Sequence, residues 1–227
     1  MDRIDVDKVA RTLLEDMWAQ RHLLIPERDA TRLEVADPQL AAKYLLIDFQ
    51  IEDQIGAAFA YRGAKFETAG LIDRQRRRIA VSRRFPKEAM VFTAAHEIGH
   101  WLLHPGEVMH RDRPIAWPPA NGQLRPQMER EADYFAACFL MPRSLLADTV
   151  EALFAACPVV IDERTAFAID MSDHRQLVKT REGSLERARA LARARHFGLR
   201  HFAPLHEQFG VSMSAMAYRL QELGLVR

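Results

Sequence analysis

Ala95-His96-Glu97-Ile98-Gly99-His100-Trp101-Leu102-Leu103-His104-Pro105 is the stretch whose reading decides the fold. On an α-helix, residues four apart lie on one face about one turn from each other, so His96 and His100 can present their imidazoles to a single metal ion. Glu97 stands beside them. Two neutral nitrogen donors and an adjacent carboxylate are the parts of a hydrolytic metal site: the histidines hold the ion, and the carboxylate takes a proton from the water activated there. The neighbouring residues predict the helix itself. Ala89, Met90, Phe92, Thr93, Ala95 and Ile98, then Trp101, Leu102 and Leu103, make a largely buried stretch of about four turns, with Pro86 in its first turn and Pro105-Gly106 ending it. Buried imidazoles and a buried carboxylate each need a partner, and a shared cation supplies one. The competing reading makes His96 and His100 core histidines bonded to backbone, with Glu97 on a wet edge. His104 lies about 12 Å from His96 along a straight helix axis, too far to share its ion, and reads as a supporting or helix-end residue.

A tetrahedral zinc site with two histidines needs a third protein ligand and keeps one position for water. Residues 126–142 predict a second helix, with Pro126 near its start, Pro142 at its end and an apolar arc of Met128, Ala132, Phe135, Ala136, Phe139 and Leu140. Glu129 and Asp133 lie one turn apart on the edge of that arc, whereas Glu131 points roughly 160–200° away from both. Only one of the two glutamates is then expected to face the first helix. Glu129 is the expected third ligand, Asp133 the acceptor that orients a ligand histidine through its other ring nitrogen, and Glu131 part of a solvated face. Ala132, Ala136 and Ala137 are small enough to let the two helices approach closely. Cys138 points away from Glu129 and reads as packing.

Taken together, the block from Phe92 to His104 and the block from Glu129 to Pro142 resemble the ImmA/IrrE family of metallo-endopeptidases. Ala69-Gly70-Leu71-Ile72-Asp73 through Ile79-Ala80-Val81-Ser82, and Phe209-Gly210-Val211-Ser212 through Arg219-Leu220, are also similar to the family, so the resemblance covers roughly residues 40–225. It implies Zn²⁺ held by His96, His100 and a glutamate of the second block, with Glu97 as general base. The family's spacing of Glu, two residues, Ala, then Asn or Asp puts that glutamate at Glu129. The implied fold is α+β, a zincin-like metallopeptidase domain of a small twisted sheet plus active-site helices, with a helical C-terminal extension. The implied role is an intracellular protease that cleaves a DNA-binding repressor and so releases a regulon.

Composition is a plain background to this. With 227 residues, 48% of them hydrophobic, the chain is long enough for one well-filled core and short for two, and a net charge of +1 selects no class of partner. The charged start Met1-Asp2-Arg3-Ile4-Asp5 is not a secretory signal, and the apolar runs are broken by charge well short of a membrane span. Two cysteines, Cys138 and Cys157, make no disulfide framework. A cytoplasmic protein without a membrane partner is expected, and its oligomeric state is open.

Along the chain, Val6, Val9, Ala10, Leu13, Leu14, Met17 and Trp18 recur at three and four, predicting an amphipathic helix that packs on the catalytic unit. A helix is expected from Pro38 to Leu46. Strands are expected between Ala58 and Ser82, with a turn at Asp73-Arg74-Gln75; their edge either holds an extended peptide substrate or simply covers the core. The run Arg74, Arg76, Arg77, Arg78, Arg83 and Arg84 reads as a solvated face, with contact to acidic substrate or nucleic acid as the alternative. His110 to Leu124 is expected to be a loop at the rim of the cleft, and His110 and Tyr134 compete as donors to a developing oxyanion. Helices are expected over Arg143 to Cys157 and Ser184 to Phe197. The end, His201 to Gly224, has a helix-turn-helix look with Ser212 as N-cap. Its second helix offers only Arg219, Gln221 and Tyr218 as base readers, with Glu222 opposed to phosphate, so DNA is not the expected partner.

The expected organisation is a catalytic domain with its N-terminal helix at 1–157 and a helical region at 158–227 packed on it. The expected function is a zinc-dependent endopeptidase acting on a protein, such as a helix-turn-helix repressor. Its rivals are a DNA-binding regulator with a structural metal site, and a module that senses metal or a small ligand without turnover.

Overall fold

The computed structural model describes residues 2–53, 55, 59–61, 64–106, 109–112 and 126–227, without the side chains of 59–61, 64–66 and 109–112. The chain is a helix-rich α+β protein with a small sheet, and it divides into two units, Met1–Leu140 and Met141–Arg227.

The first unit runs α1 (Arg3–Ala19), α2 (Arg21–Leu24), α3 (Arg32–Val35), α4 (Pro38–Tyr44), β1 (Asp48–Glu52), β2 (Phe59–Tyr61), β3 (Ala64–Phe66), β4 (Gly70–Asp73), β5 (Arg78–Ser82), α5 (Lys87–Leu103), β6 (Met109–Asp112) and α6 (Gln127–Leu140). In α1 the buried residues Val6, Ala10, Leu13 and Met17 recur at helical spacing, and this stripe packs on α6. Asp37 caps α4, accepting from the backbone N–H groups of Gln39 and Leu40 just ahead of Pro38 in the first turn.

The main sheet has the order β1-β5-β4-β6. Its centre is the antiparallel pair β4–β5, in register Gly70↔Val81 to Asp73↔Arg78, the hairpin that the turn at 73–75 predicts. Two of its strands were not foreseen. β1 pairs parallel with β5, and β6, inside the segment expected to be loop, pairs antiparallel with β4. A hairpin carries its turn signal locally, whereas these two strands find partners some thirty to forty residues away, and nothing in their own composition announces the pairing. The remainder of the expected loop, 113–124, lies outside the described residues.

The basic run around the hairpin is anchored. Arg74 donates to backbone carbonyls at the end of α5, Arg77 to those of Leu45 and Leu46, and Arg76, Arg78, Arg83 and Arg84 face Asp73, Glu52, Asp53 and Glu67 respectively. Arg76, Arg77, Arg83 and Arg84 nevertheless remain exposed, as the expected solvated face requires, and exposed ion pairs of this kind are weak.

The second unit contains α7 (Arg143–Phe154), α8 (Glu163–Ile169), α9 (His174–Lys179), α10 (Leu185–Arg193), β7 (His196–Phe197), β8 (Arg200–His201), α11 (Leu205–Gln208) and α12 (Met213–Glu222). The expected boundary at 157 differs from the observed division because α7 belongs with the C-terminal elements: Phe154 packs edge-on against Phe197 and Phe202, with ring centroids 5.6 and 5.5 Å away. The helix expected to reach Phe197 stops at Arg193. Residues 196–201 instead form a hairpin, turning at Gly198 with φ 60° and closed by the Phe202 N–H donating to Arg195 O at 2.9 Å. Ser212 caps α12, accepting from Ala215 N–H at 3.1 Å, after a turn in which Gly210 has φ 62°.

Both cysteines are free thiols. Among the described residues no helix is long and apolar enough to cross a membrane.

Candidate metal centre

Helix α5 is apolar almost all round, and ten of its seventeen residues are buried, so its polar side chains must find partners inside the protein. Its C-terminal end is fastened by Arg74, whose Nη2 donates to the carbonyls of His100, Trp101 and His104 at 2.9, 2.9 and 3.0 Å. A cation placed there satisfies carbonyls that the helix cannot bond itself and complements the helix dipole. The same guanidinium lies 4.6 Å from the centre of the Trp101 ring.

Small residues bring α6 against this helix. A Cβ at Gly99 would meet Cα of Ala132 at 3.2 Å and Cδ1 of Phe135 at 3.0 Å, so a larger residue here would push the two helices slightly apart. Ala132 and Ala136 are fully buried in unit 1 beside Phe135 and Phe139. This approach lets Glu129, in the first turn of α6, reach the two histidines. Nε2 of His96 and Nε2 of His100 are 2.9 Å apart, and the Glu129 carboxylate oxygens lie 3.6 Å from the first and 3.3 Å from the second.

His96, His100 and Glu129 each offer one donor atom within 4.8 Å of the others. Donors of a tetrahedral centre at about 2.0–2.1 Å from its ion stand about 3.3 Å from one another, so the observed spacing fits one cation shared by the three. The tautomers suit it as well. Nδ1 of His96 is 3.0 Å from Oδ1 of Asp133, and Nδ1 of His100 is 2.9 Å from Nδ1 of His104. Each imidazole can thus place its proton on Nδ1, toward a neighbour, and keep the Nε2 lone pair for the centre. The donor set could therefore hold a metal ion.

Glu97 is 0% exposed and lies next to His96 on α5. Asp133, also enclosed, stands behind His96 at its Nδ1 edge.

The reading of Glu131 needs correction. It is not part of a solvated face: its Oε2 is 2.9 Å from Nε2 of His104 and its Oε1 accepts from Gln127 Nε2 at 2.8 Å. Glu129 and Glu131 both serve α5, because His104 is the C-cap residue, one turn past His100, and lies where the opposite edge of α6 can reach it. The result is a chain, His100–His104–Glu131, that leads from the His100 imidazole to a carboxylate. Burial acts to raise the Glu131 carboxyl, but hydrogen bonds, those from His104 and Gln127 among them, outweigh it and hold the group at about 2. The sequence carried one signal for this link: His104 repeats the four-residue spacing of His96 and His100.

Of the two oxyanion candidates, His110 has its side chain outside the described residues, and the Tyr134 ring lies under the Arg3 guanidinium of α1 at 4.9 Å. The three base readers expected of α12 are otherwise engaged or screened. Arg219 is 2% exposed, pairs with Glu222 at 2.8 Å and donates through Nε to Met141 O at 3.2 Å; Gln221 donates to Gly183 O, and Tyr218 is half-buried. A buried arginine cannot enter a groove of DNA, so Arg219 is not available to read bases.

Comparison with known proteins gives a match between residues 59–154 and the family model described as Peptidase_M78, IrrE N-terminal-like domain. No curated protein matches the chain.

Proposed function

We propose that this chain, whose residues 59–154 match the Peptidase_M78 family model of IrrE N-terminal-like domains, is a zinc-dependent endopeptidase built on His96, His100 and Glu129, with Glu97 as general base. The observation that carries the reading is the convergence of three donor atoms at one point, with each imidazole turned by a neighbour at Nδ1.

Zinc bound by these three residues would activate a water and polarise a peptide carbonyl. Glu97 takes the proton of the attacking water and passes it to the leaving amine, the two transfers that peptide hydrolysis requires. Its enclosed position suits a base that must hold a proton between two steps without losing it to solvent. Asp133 and His104 keep the ligand rings in one tautomer and one orientation.

The substrate is a protein, bound as an extended segment. Both edges of β4 are taken, by β5 and β6, so strand addition uses the outer edge of β6, which comes directly after α5 in sequence. Main-chain hydrogen bonds would then hold any sequence, with side-chain pockets selecting among them. The family resemblance makes a DNA-binding helix-turn-helix repressor the substrate to try first, and an intracellular reaction goes with that reading.

The test compares wild type with Glu97→Gln for zinc content and for cleavage of repressors encoded beside the gene. Both should bind about one zinc per chain, and the variant should lose about 10²–10⁴-fold in turnover, because the base is gone and the ligands stay. If neither protein binds zinc, the centre is refuted. Zinc binding with no cleavage by wild type would put the metal-sensing module in its place.

A further inference from the structure

Gly70 is where the sheet meets the Glu97 carboxylate. It opens β4 and is paired on both sides, with Val81 of β5 and Asp112 of β6. A Cβ at this position would lie 2.1 Å from Oε1 and 2.9 Å from Cδ of Glu97, and 2.8 Å from Cγ2 of Thr93. Non-bonded atoms do not approach this closely, so any side chain here would displace the carboxylate. Backbone conformation does not ask for glycine: Gly183, Gly198, Gly210 and Gly224 have positive φ, and Gly70 does not. A glycine inside a strand weakens it unless something needs the space. Here the space is filled by Thr93 and Glu97, one turn apart on the face of α5 toward β4, while His96 and His100 turn to Glu129.

We propose that Gly70 is a positioning residue whose missing side chain seats the Glu97 carboxylate against β4 and so sets where the base stands. The steric part rests on geometry alone; its consequence for turnover rests on the reading of Glu97 as general base.

The test is a cycle of four metal-free proteins, wild type, Gly70→Ala, Glu97→Ala and the double variant, monitored by thermal unfolding. Gly70→Ala should lower Tm by roughly 4–8 °C while Glu97 is present, and by much less once Glu97→Ala has removed the carboxylate. An equal loss in both backgrounds, or no loss in either, overturns the proposal. If Gly70→Ala alone does not fold, recovery in the double variant supports it, and failure of both overturns it. Gly99→Ala is the control: its Cβ would meet Phe135 and Ala132, so its cost should not depend on Glu97. In the zinc-loaded protein Gly70→Ala should lower kcat by about 100-fold and leave KM and zinc stoichiometry in place; wild-type kcat would contradict it. If wild type cleaves nothing, the peptidase reading falls, while the unfolding cycle still decides whether Gly70 seats the carboxylate.

Discussion

Replacing His104 by alanine removes the group that faces Nδ1 of His100 at 2.9 Å and, with it, the link to Glu131. The His100 side chain is fully enclosed and that of His104 only 7% exposed, so bulk water does not simply take the vacated place. A buried N–H left without its acceptor costs about 1–3 kcal/mol. Part of this falls equally on the metal-free and metal-bound protein and cancels in an affinity measurement. The remainder does not cancel, because an imidazole committed through Nε2 cannot turn its ring to seek another partner. Removal of such a supporting group typically weakens metal binding by about 10–100-fold, or about 1.4–2.7 kcal/mol. His104→Ala should fall within that range, and Glu131→Gln, which keeps an acceptor opposite His104 and loses only the charge, should cost less. Glu129→Ala, which takes away a donor, should cost more than either. The assay is competition for zinc against a chromophoric chelator near neutral pH, with circular dichroism to show that each variant is folded. If His104→Ala holds zinc as tightly as wild type, the chain from His100 to Glu131 is packing and nothing more.

Arg219→Ala should destabilise the second unit by about 1–3 kcal/mol, since it deletes a part-buried ion pair with Glu222 and a buried bond to Met141 O; denaturant unfolding with no change in midpoint would refute the buried role. Arg74→Met should expose the end of α5, costing about 1–3 kcal/mol and speeding amide exchange over its last turn, and unchanged exchange there would remove Arg74 as the cap. Bonds from Arg28 and from the Thr31 backbone and hydroxyl hold the Glu34 carboxyl at about 2, against an ordinary 4.5. Because the folded-state value is depressed, the contribution of Glu34 is fully present above about 4.5 and is lost as pH falls through about 2. An NMR titration should find Glu34 near that value and Arg28→Ala should bring it up, whereas an ordinary titration with Arg28 in place would deny the contact.

The sequence by itself was enough to bring forward His96, Glu97 and His100, because the spacing of residues on one helix is a local property that any helix realises. It was also enough for α1, for the β4–β5 hairpin and for the Ser212 cap, each written in a short window of residues. Helical periodicity put Glu129 and Asp133 on one edge of the second helix, and the structure places both against the histidines. The same reasoning failed for Glu131, since an angle about one helix axis does not say how far the end of a neighbouring helix extends around it. It took the packing of Gly99 on Ala132 to bring α6 close enough for Glu131 to meet His104. Only the tertiary structure decided that β1 and β6 join the sheet, that α7 belongs with the second unit, and that Arg219 and Arg74 are occupied by the protein itself. These depend on partners far away in sequence. A strand, a domain boundary or a charge acquires its role from what it touches, and residue order limits that choice without making it.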